Sequence, residues 1–334
     1  MIKIIVDCFG GDKSPEAQIK GGLLALKNIP DVFVIFTGDE KIIKDVLAGE
    51  EYDKERIEIV HAPEVIGCDE KPTDVIRLKK ESSLMKGIMM LRKDDSISGL
   101  VSTGSTGAIV TAATLLIGRL RGVIRPAFCP VLPTMNGGVV GICDSGANVD
   151  CKADMLEQFA IMGSEYMKST YGVEKPRVGL LNIGAEAEKG DDLHKEAYKL
   201  LEANENINFC GNMEARELLK GNLDLVVCDG FSGNVLIKST EGACLEMLKM
   251  LKKDIFSKTM YKIGALFMKK MFDKEKEFMN YQNYGGSVLL GTCKTIVKGH
   301  GSSNEVAVAK CIEQAYKMET GKMNERVEAI TGRE

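Results

Sequence analysis

The sequence predicts an α/β protein, a Rossmann-like α/β/α sandwich in which helices cover a mostly parallel sheet. Short runs of β-branched residues alternate with longer helical patterns, which is the rhythm of repeated β-α-β units. Several predicted strands end in glycine-rich polar turns. With 334 residues, 44% of them hydrophobic and 28% charged, the chain has a globular composition and can bury a substantial core.

The alternation begins at the N-terminus and continues along most of the chain. It starts with a strand, a helix, a strand, a helix and a strand at Ile2–Val6, Glu16–Lys27, Val32–Thr37, Glu40–Ala48 and Ile57–His61. It goes on through Gly99–Ser102, Gly107–Leu120, Val139–Asp144, Arg177–Ile183 and Leu223–Cys228. We find no proline- or serine-rich linker, low-complexity tract or internal repeat, so we expect one domain over residues 1–334.

Residues 250–284 depart from this pattern and predict a projecting helical excursion. Large apolar residues recur there at helical spacing, and lysines take other positions. The apolar residues are Phe256, Met260, Ile263, Phe267 and Met271, and the lysines include Lys258 and Lys262. A basic amphipathic helix suits contact with an anionic membrane surface or an acidic protein. A dimer-packing or core helix would show the same spacing.

Charge and composition exclude several classes of protein. The net charge is −4 and the pI is near 5.7, which argues against a nucleic-acid-binding protein that relies on global positive charge. The N-terminus shows no cleavable signal pattern, and no apolar run reaches the roughly 20 residues of a membrane span. The ten cysteines are scattered and predict buried thiols, and the three histidines are far apart, so we expect a cytoplasmic protein with no metal site.

Five glycine-rich turns follow predicted strands, with the sequences DCFGGD, STGSTGA, DSGANVD, NIGAEAEKG and DGFSGN. In open α/β sheets, ligands bind beyond the carboxyl ends of the strands. We therefore expect these turns to form one composite site.

The turn Ser102–Ala108 precedes a predicted helix and suits an anion such as phosphate. Its glycines let backbone N–H groups approach a ligand, its hydroxyls donate hydrogen bonds, and a helix N-terminus adds positive potential. A capped strand-to-helix turn would have the same composition. The chain lacks the G-x-x-x-x-G-K-[ST] and G-x-G-x-x-G nucleotide signatures and the G-x-S-x-G elbow of serine hydrolases.

Three side chains on other turns are candidates for catalysis. Lys189 could hold phosphate or stabilise an oxyanion, Asn234 offers an amide donor, and His300 lies between glycines as an acid, base or neutral donor. A solvated lysine, a helix-capping asparagine and a structural histidine are the alternatives.

Taken in order, the motifs resemble those of the PlsX family of acyl-acyl-carrier-protein:phosphate acyltransferases. The resemblance covers nearly the whole chain. It includes VDCFGGDKSPE, HAPEVI, STGSTGA, IGRLRGVIRPA, DSGANVDCK, FAIMGS, PRVGLLNIGAEAEKG, VVCDGFSGNV, NYGGSVLLG and KGHGSSN. Two departures from the family pattern are Cys8-Phe9 before the first glycine pair and Ser105 in place of an asparagine, which leaves a site role for Ser105 in question.

The resemblance implies a fold like that of phosphotransacetylases and isocitrate-dehydrogenase-type enzymes, usually as a homodimer without a metal or nucleotide cofactor. It implies Lys189, Asn234 and His300 as catalytic residues. It also implies phosphate or substrate binding by Asp7, Gly10, Gly11, Gly104, Ser105, Thr106, Gly107, Asn148, Asn182, Gly184, Asp229 and Gly233. The excursion at 250–284 corresponds to helices that touch membrane or carrier protein. Rival basic patches for carrier docking are Arg77, Lys79, Lys80 and Lys86, and Arg119, Arg121 and Arg125.

The function that the resemblance implies is transfer of a long-chain acyl group from acyl carrier protein to inorganic phosphate. The acyl phosphate would then serve glycerophospholipid synthesis through a membrane glycerol-3-phosphate acyltransferase. Three alternatives stay open: a short-chain phosphotransacylase that uses acyl-coenzyme A, a non-catalytic scaffold docked at the membrane, and a dehydrogenase of related fold.

Overall fold

Two mixed β-sheets organise the chain, of which the computed structural model describes residues 1–67, 70–272 and 281–332. The described strands are β1 (Ile2–Asp7), β2 (Val32–Gly38), β3 (Ile57–His61), β4 (Ile97–Ser102), β5 (Ala127–Cys129), β6 (Val131–Pro133), β7 (Val139–Cys143), β8 (Arg177–Asn182), β9 (Asn208–Glu214), β10 (Leu225–Val227), β11 (Ser287–Leu290) and β12 (Thr295–Lys298). One sheet has the order β3-β2-β1-β4-β12-β11-β5, and the other β6-β7-β10-β8-β9.

Most strand pairs are parallel, as the sequence predicted. In the first sheet only β11 runs against its neighbours, and in the second only β6 does. The α/β fold class is confirmed, although the strands are divided between two sheets. The carboxyl ends of β1, β4 and β12 share one edge of the first sheet, and those of β7, β10 and β8 share one edge of the second.

Helices fill the space around the sheets. They are α1 (Glu16–Asn28), α2 (Glu40–Leu47), α3 (Pro72–Leu78), α4 (Ser83–Lys93), α5 (Thr106–Ala112), α6 (Ala153–Tyr171), α7 (Asp192–Ala203), α8 (Gly230–Ser257), α9 (Thr259–Phe267), α10 (Glu305–Thr320) and α11 (Met323–Thr331). Helix α5 continues as a π-helical turn over Ala113–Ile117, and 3₁₀ turns span Lys54–Arg56, Ala215–Lys220 and Tyr281–Tyr284. Helix α6 contacts β7 and β10 of one sheet and β11 of the other, so it lies between the sheets.

The central strands of the first sheet are buried on both faces, which explains their continuous apolar runs. Ile4 and Val6 of β1 pack in one hydrophobic cluster, whereas Ile5 between them packs in another. Successive side chains of a strand point to opposite faces, so a sheet covered by helices on both sides needs apolar residues at every position. Full burial of one such side chain contributes about 1.5–3 kcal/mol.

The cysteines follow the prediction of buried thiols only in part. Cys8, Cys143 and Cys228 are among those fully buried, but Cys210 and Cys293 are exposed. No disulfide joins the cysteines that the structure describes.

The last part of α8 and all of α9 stand away from the core. Every residue of α8 after Ile237 is exposed or half-buried, and the same holds throughout α9. We call residues 238–267 the arm. Of the predicted excursion, residues 273–280 lie outside the described residues. No helix in the described part of the chain is long and apolar enough to cross a bilayer.

The N-terminus of α8 is pressed against the end of β7. A Cβ atom on Gly233 would lie 1.9 Å from the backbone oxygen of Asp144, and one on Gly230 would lie 2.5 Å from the backbone oxygen of Asn148. These contacts leave room only for glycine, so they fix where the helix begins.

Gly233→Ala is expected to destabilise the protein by about 1–3 kcal/mol, the usual cost of overpacking a close contact. Gly242→Ala on the same helix is the matched control, because nothing lies within 4 Å of the added methyl group. That control should gain about 0.5–1 kcal/mol from reduced backbone entropy of the unfolded chain. The midpoint of urea unfolding measures both, and an unchanged midpoint for Gly233→Ala would contradict the assigned contact.

Candidate active site

A cleft of about 230 Å³ opens where the two sheets meet. Strand ends and loops from both sheets and the first turns of α8 form its walls. Thr106, Asn234 and His300, which the sequence placed on three separate loops, all lie in this lining. The other lining residues are Phe128, Pro130, Val131, Leu132, Ser145, Gly146, Ile237, Lys238, Glu241, Gly285, Gly286, Ser287 and Lys298.

A larger groove of about 900 Å³ runs along α3 and α4. Methionines form part of its floor, and it contains Arg77, Lys80 and Lys86 of the predicted docking patch. None of the three predicted catalytic residues lines it. The smaller cleft, where residues from distant loops converge, is therefore the candidate active site.

The loops after β1, β4 and β12 are tied together behind the cleft. The Gly299 N–H donates to the backbone oxygen of Ser102 at 2.9 Å, and the Asp12 N–H donates to that of Gly301 at 2.8 Å. The loops after β1 and β4 also touch through backbone, since a Cβ atom on Gly10 would lie 2.6 Å from the nitrogen of Gly104. Gly10 and Gly104 thus allow the close approach of two loops.

Asp7 holds this junction rather than facing the cleft. Its carboxylate accepts hydrogen bonds from the Ser102 hydroxyl at 2.6 Å and from the Phe9 N–H at 3.3 Å. Burial raises the pKa of Asp7, although these hydrogen bonds act in the opposite direction. Gly11 lies against Thr103 and Gly301 in the same junction. The structure therefore gives Asp7, Gly10 and Gly11 a supporting position.

Within the turn Ser102–Ala108, Thr106 alone lines the cleft. Ser105 occupies the N-cap position of α5 without a capping hydrogen bond from its side chain. Gly107 faces the other way, because a Cβ atom there would lie 2.7 Å from Cγ of Pro72.

Asp144 joins the two sheets at the base of the cleft. Its buried carboxylate accepts N–H hydrogen bonds from Phe128 in β5 of the first sheet and from Ser145, Ala147 and Asn148 in its own loop. Burial raises its pKa, while these hydrogen bonds oppose the rise. The Asn148 amide donates to Asp144 at 3.1 Å and to the backbone oxygen of Pro126 at 2.8 Å, so its N–H groups brace the loop instead of meeting a ligand.

The first turn of α8 is built on this loop. Asp229 caps the helix by accepting the Ser232 N–H at 2.8 Å, and the Gly230 N–H donates to the backbone oxygen of Asn148 at 2.7 Å. One turn later, the Asn234 side chain lies beside Gly146 in the cleft. A Cβ atom on Gly146 would be 3.2 Å from the side-chain nitrogen Nδ2 of Asn234. Asp229 and Gly233 therefore set the helix in place, and Asn234 presents the polar group.

His300 faces the cleft in a defined orientation. The Ser302 N–H donates to Nδ1 of His300 at 3.2 Å, and the Ser302 hydroxyl lies 2.8 Å from the same nitrogen. Nδ1 is thus an acceptor, and Nε2 carries the proton of the neutral ring. Partial burial and the positive charges of Lys298 and Lys238 lower the pKa of His300, which favours the neutral form at pH 7.

Lys238, Ser287 and Lys298 line the cleft but were missed at the level of sequence. Lys238 lies one helical turn beyond Asn234. Because residues four apart share one face of a helix, this spacing could have predicted that Lys238 lines the same site. Lys298 is the last residue of β12, just before the glycine-flanked His300, so its strand-end position was a second available signal.

The loop after β8 folds on itself and does not bring Lys189 into the cleft lining. The Asn182 amide donates to the backbone oxygen of Lys189 at 3.1 Å, and its side-chain oxygen accepts the Ile183 N–H at 2.8 Å. Gly184 lies under the Lys189 side chain, which is exposed. Lys189, Asn182 and Gly184 form a separate loop at the edge of the second sheet.

The arm exposes the apolar residues that the sequence placed in an amphipathic helix. The exposed fractions of Phe256, Met260, Ile263 and Phe267 are 61%, 76%, 48% and 88%. Their lysine neighbours lie against aromatic rings: Lys258 Nζ is 5.3 Å from the ring centroid of Tyr261, and Lys262 Nζ is 5.8 Å from that of Phe256.

Two solved phosphotransacylase structures share this fold. A phosphotransacetylase from Streptococcus pyogenes aligns over 95% of this chain and 94% of its own, with a TM-score of 0.62 and 16% identity. A branched-chain phosphotransacylase from Enterococcus faecalis aligns over 96% and 100%, with a TM-score of 0.56 and 13% identity. At such low identity the likeness shows a shared fold alone, and it confirms the predicted architecture.

Sequence relatives are much closer. Residues 2–326 match the model of a family described as fatty acid synthesis protein. The phosphate acyltransferase of Clostridium acetobutylicum is 44% identical over 324 residues, 97% of each chain. That of Clostridium perfringens strain SM101 is 43% identical over 330 residues, covering 98% of this chain and 97% of its own. The chain therefore belongs to the PlsX family of phosphate acyltransferases.

Proposed function

We propose that this acyltransferase moves a long-chain fatty acyl group from acyl carrier protein to inorganic phosphate, and that the acyl phosphate feeds glycerophospholipid synthesis. The observation that carries the proposal is the cleft in which Asn234, His300 and Thr106 converge beside Lys238 and Lys298. Amide, imidazole, hydroxyl and ammonium groups are the donors that a thioester oxyanion and a phosphate require.

The reaction in this proposal is a direct displacement. A phosphate oxygen forms a bond to the thioester carbonyl carbon, the carbon–sulfur bond breaks, and the carrier leaves as a thiolate. The Asn234 amide holds the oxyanion that develops on the carbonyl oxygen. Holding both reactants in one cleft replaces a bimolecular collision by an intramolecular attack.

His300 acts as a hydrogen-bond donor in this mechanism. Its lowered pKa keeps the ring neutral, and a neutral imidazole with its proton on Nε2 is a poor source of a proton for the leaving sulfur. It is a good orienting donor for phosphate. Lys189 can take part only if its loop closes over the cleft when substrate binds, and near-normal turnover by Lys189→Ala would remove it from the mechanism.

Assays with alternative donors test the proposed function and its main rival. With purified long-chain acyl carrier protein and phosphate, we expect acyl phosphate, detected directly by mass spectrometry. The shared fold of the phosphotransacetylases favours acyl-coenzyme A as the rival donor. Higher kcat/KM with acetyl- or butyryl-coenzyme A than with the long-chain carrier substrate would overturn the proposal, and a lack of all activity would favour a scaffold role.

If the proposed function is correct, a substitution in the cleft lining lowers the activity and one outside it does not. Asn234→Ala removes one oxyanion donor and is expected to lower kcat by about 10²–10³-fold, as at other oxyanion holes. Ser239→Ala changes an exposed residue of the same helix outside the cleft lining and should retain kcat within about two-fold. Equal effects of the two variants would show that Asn234 is not an oxyanion donor.

The titration of His300 has a predicted direction. Partial burial and two lysines disfavour the imidazolium, so the pKa of His300 should lie below the ordinary value of about 6.5. The ring is then neutral at pH 7 and becomes charged only as the pH falls through a pKa that is lower than the ordinary value. An NMR titration of the ring protons measures this directly, with His300→Gln to assign the signal among the three histidines. A midpoint at or above 6.5 would contradict the described surroundings.

We also propose that the arm attaches the enzyme reversibly to the cytoplasmic face of the membrane, near the downstream glycerol-3-phosphate acyltransferase, and that the enzyme is a homodimer. The support is the run of exposed apolar side chains with lysines beside them, which suits an anionic interface.

Phe267→Asp should weaken binding to phosphatidylglycerol-containing vesicles by at least about ten-fold, because it removes an exposed apolar anchor and adds a charge that the anionic lipids repel. Thr259→Asp adds the same charge on the arm but removes no apolar anchor, so its loss should be smaller. Vesicle co-sedimentation measures both. Equal binding by the wild type and Phe267→Asp would exclude membrane contact through this residue.

A further inference from the structure

Lys298 has an unusual position for a lysine. It ends β12 with its side chain half-buried in the cleft, and burial, followed by the nearby charge of Lys238, lowers its pKa. A buried ammonium group costs free energy unless an anion or acceptor compensates for its lost hydration. Within residues 1–67, 70–272 and 281–332, no carboxylate lies within ion-pairing distance of Lys298 and no acceptor receives its protons.

Among the described residues, the carboxylate that acts on the pKa of Lys298 is already engaged. Glu241 is close enough to act on the pKa of Lys298, but its ion pair is with Lys238, at 3.4 Å. With His300 neutral, the described lining of the cleft holds two lysines and one glutamate, so among these residues one positive charge has no compensating carboxylate. The cleft therefore suits an anionic ligand.

A hydroxyl-bearing residue lies opposite Lys298 on the neighbouring strand. Ser287 of β11 is directly opposite Lys298 in the antiparallel pair, so both side chains lie on the same face of the sheet. The Ser287 hydroxyl oxygen is buried and has no hydrogen-bond partner among the described residues. Buried hydroxyl groups normally have a partner, and its absence points to a group that the cleft receives from outside.

We propose that Lys298 and Ser287 bind inorganic phosphate, with the exposed Lys238 of the same cleft lining adding its charge to the site. This assignment rests on the proposed function and gives the phosphate a position within it. The phosphate compensates the charge of Lys298 and accepts the Ser287 hydroxyl proton in a hydrogen bond. His300, two residues beyond Lys298, lines the same cleft as Lys298 and the oxyanion donor Asn234.

Lys298 and Lys189 differ in how the fold holds them. Both are lysines near the ends of parallel strands, but Lys189 is exposed on a loop of its own, whereas Lys298 is held by the strand pairing of β12 with β4 and β11. A ligand held on a strand is positioned more rigidly than one held on a loop. Lys298 therefore takes the phosphate-binding role that the sequence suggested for Lys189.

The test compares Lys298→Met with Lys249→Met. Methionine keeps much of the side-chain length and removes the charge, and Lys249 is an exposed lysine of α8 outside the cleft lining, paired with Glu246. For Lys298→Met we expect the KM for phosphate to rise by at least about ten-fold, with the KM for the acyl donor within about two-fold of wild type. Lys249→Met should change neither. Ser287→Ala should raise the KM for phosphate by about three- to ten-fold.

A binding measurement separates this inference from the proposed function. Phosphate should raise the Tm of the wild type above that in chloride of matched ionic strength, and Lys298→Met should abolish the difference. If the wild type forms no acyl phosphate but this pattern holds, the proposed function fails and the phosphate site stands. If the wild type is active and Lys298→Met leaves the phosphate KM and the Tm shift unchanged, the inference is overturned.

Variants of Lys238 and Ser287, together with Lys298→Arg, keep the inference testable if Lys298→Met does not fold. Lys238→Met changes an exposed residue and should raise the KM for phosphate by about three-fold, and Lys298→Arg, which keeps the charge, should retain phosphate binding. Unchanged phosphate KM values in both Lys238→Met and Ser287→Ala would also overturn the inference, and so would mass-spectrometric detection of an acylated Lys298.

Discussion

One buried carboxylate connects the parts of the candidate active cleft. Asp144 accepts an N–H from Phe128 in the first sheet and several from its own loop at the end of β7 in the second sheet. The same loop receives the N-terminus of α8 through Gly230 and Gly233. Because a buried carboxylate is costly without such donors, the loop, the helix and both sheets are constrained to one arrangement. Asn234 reaches the cleft because this arrangement sets the start of α8.

Much of the fold was predictable because burial on both faces leaves a strong pattern. The runs around β1, β2 and β4 are apolar and bounded by glycine turns, and they were found with nearly correct limits. The division into two sheets was not predicted. It depends on α6 lying between them and on the antiparallel pairing of β11 with β5, and long-range pairing of this kind leaves little trace in local periodicity.

The candidate site was predictable to a similar degree. Glycine turns located the loops, and resemblance to a family pointed to Asn234 and His300, which meet in the cleft. Sequence alone could not distinguish a residue that faces a ligand from one that braces a loop. Asp7, Asn148 and Asp229 are polar residues in motif positions, yet their hydrogen bonds are directed into the protein. Lys298 was overlooked because a lysine at a strand end is ordinarily solvated, and only its burial in the folded chain makes it unusual.

Helix α8 begins in the cleft and ends in the arm without a break. Asn234 and Phe256 are separated by 22 residues of this helix, which at 1.5 Å per residue is about 33 Å. Because a continuous helix has a fixed length, a partner that binds the arm at Phe256 is held at a constant distance from the cleft. The cleft and any surface that binds the arm are thus kept apart by a fixed length of the same polypeptide.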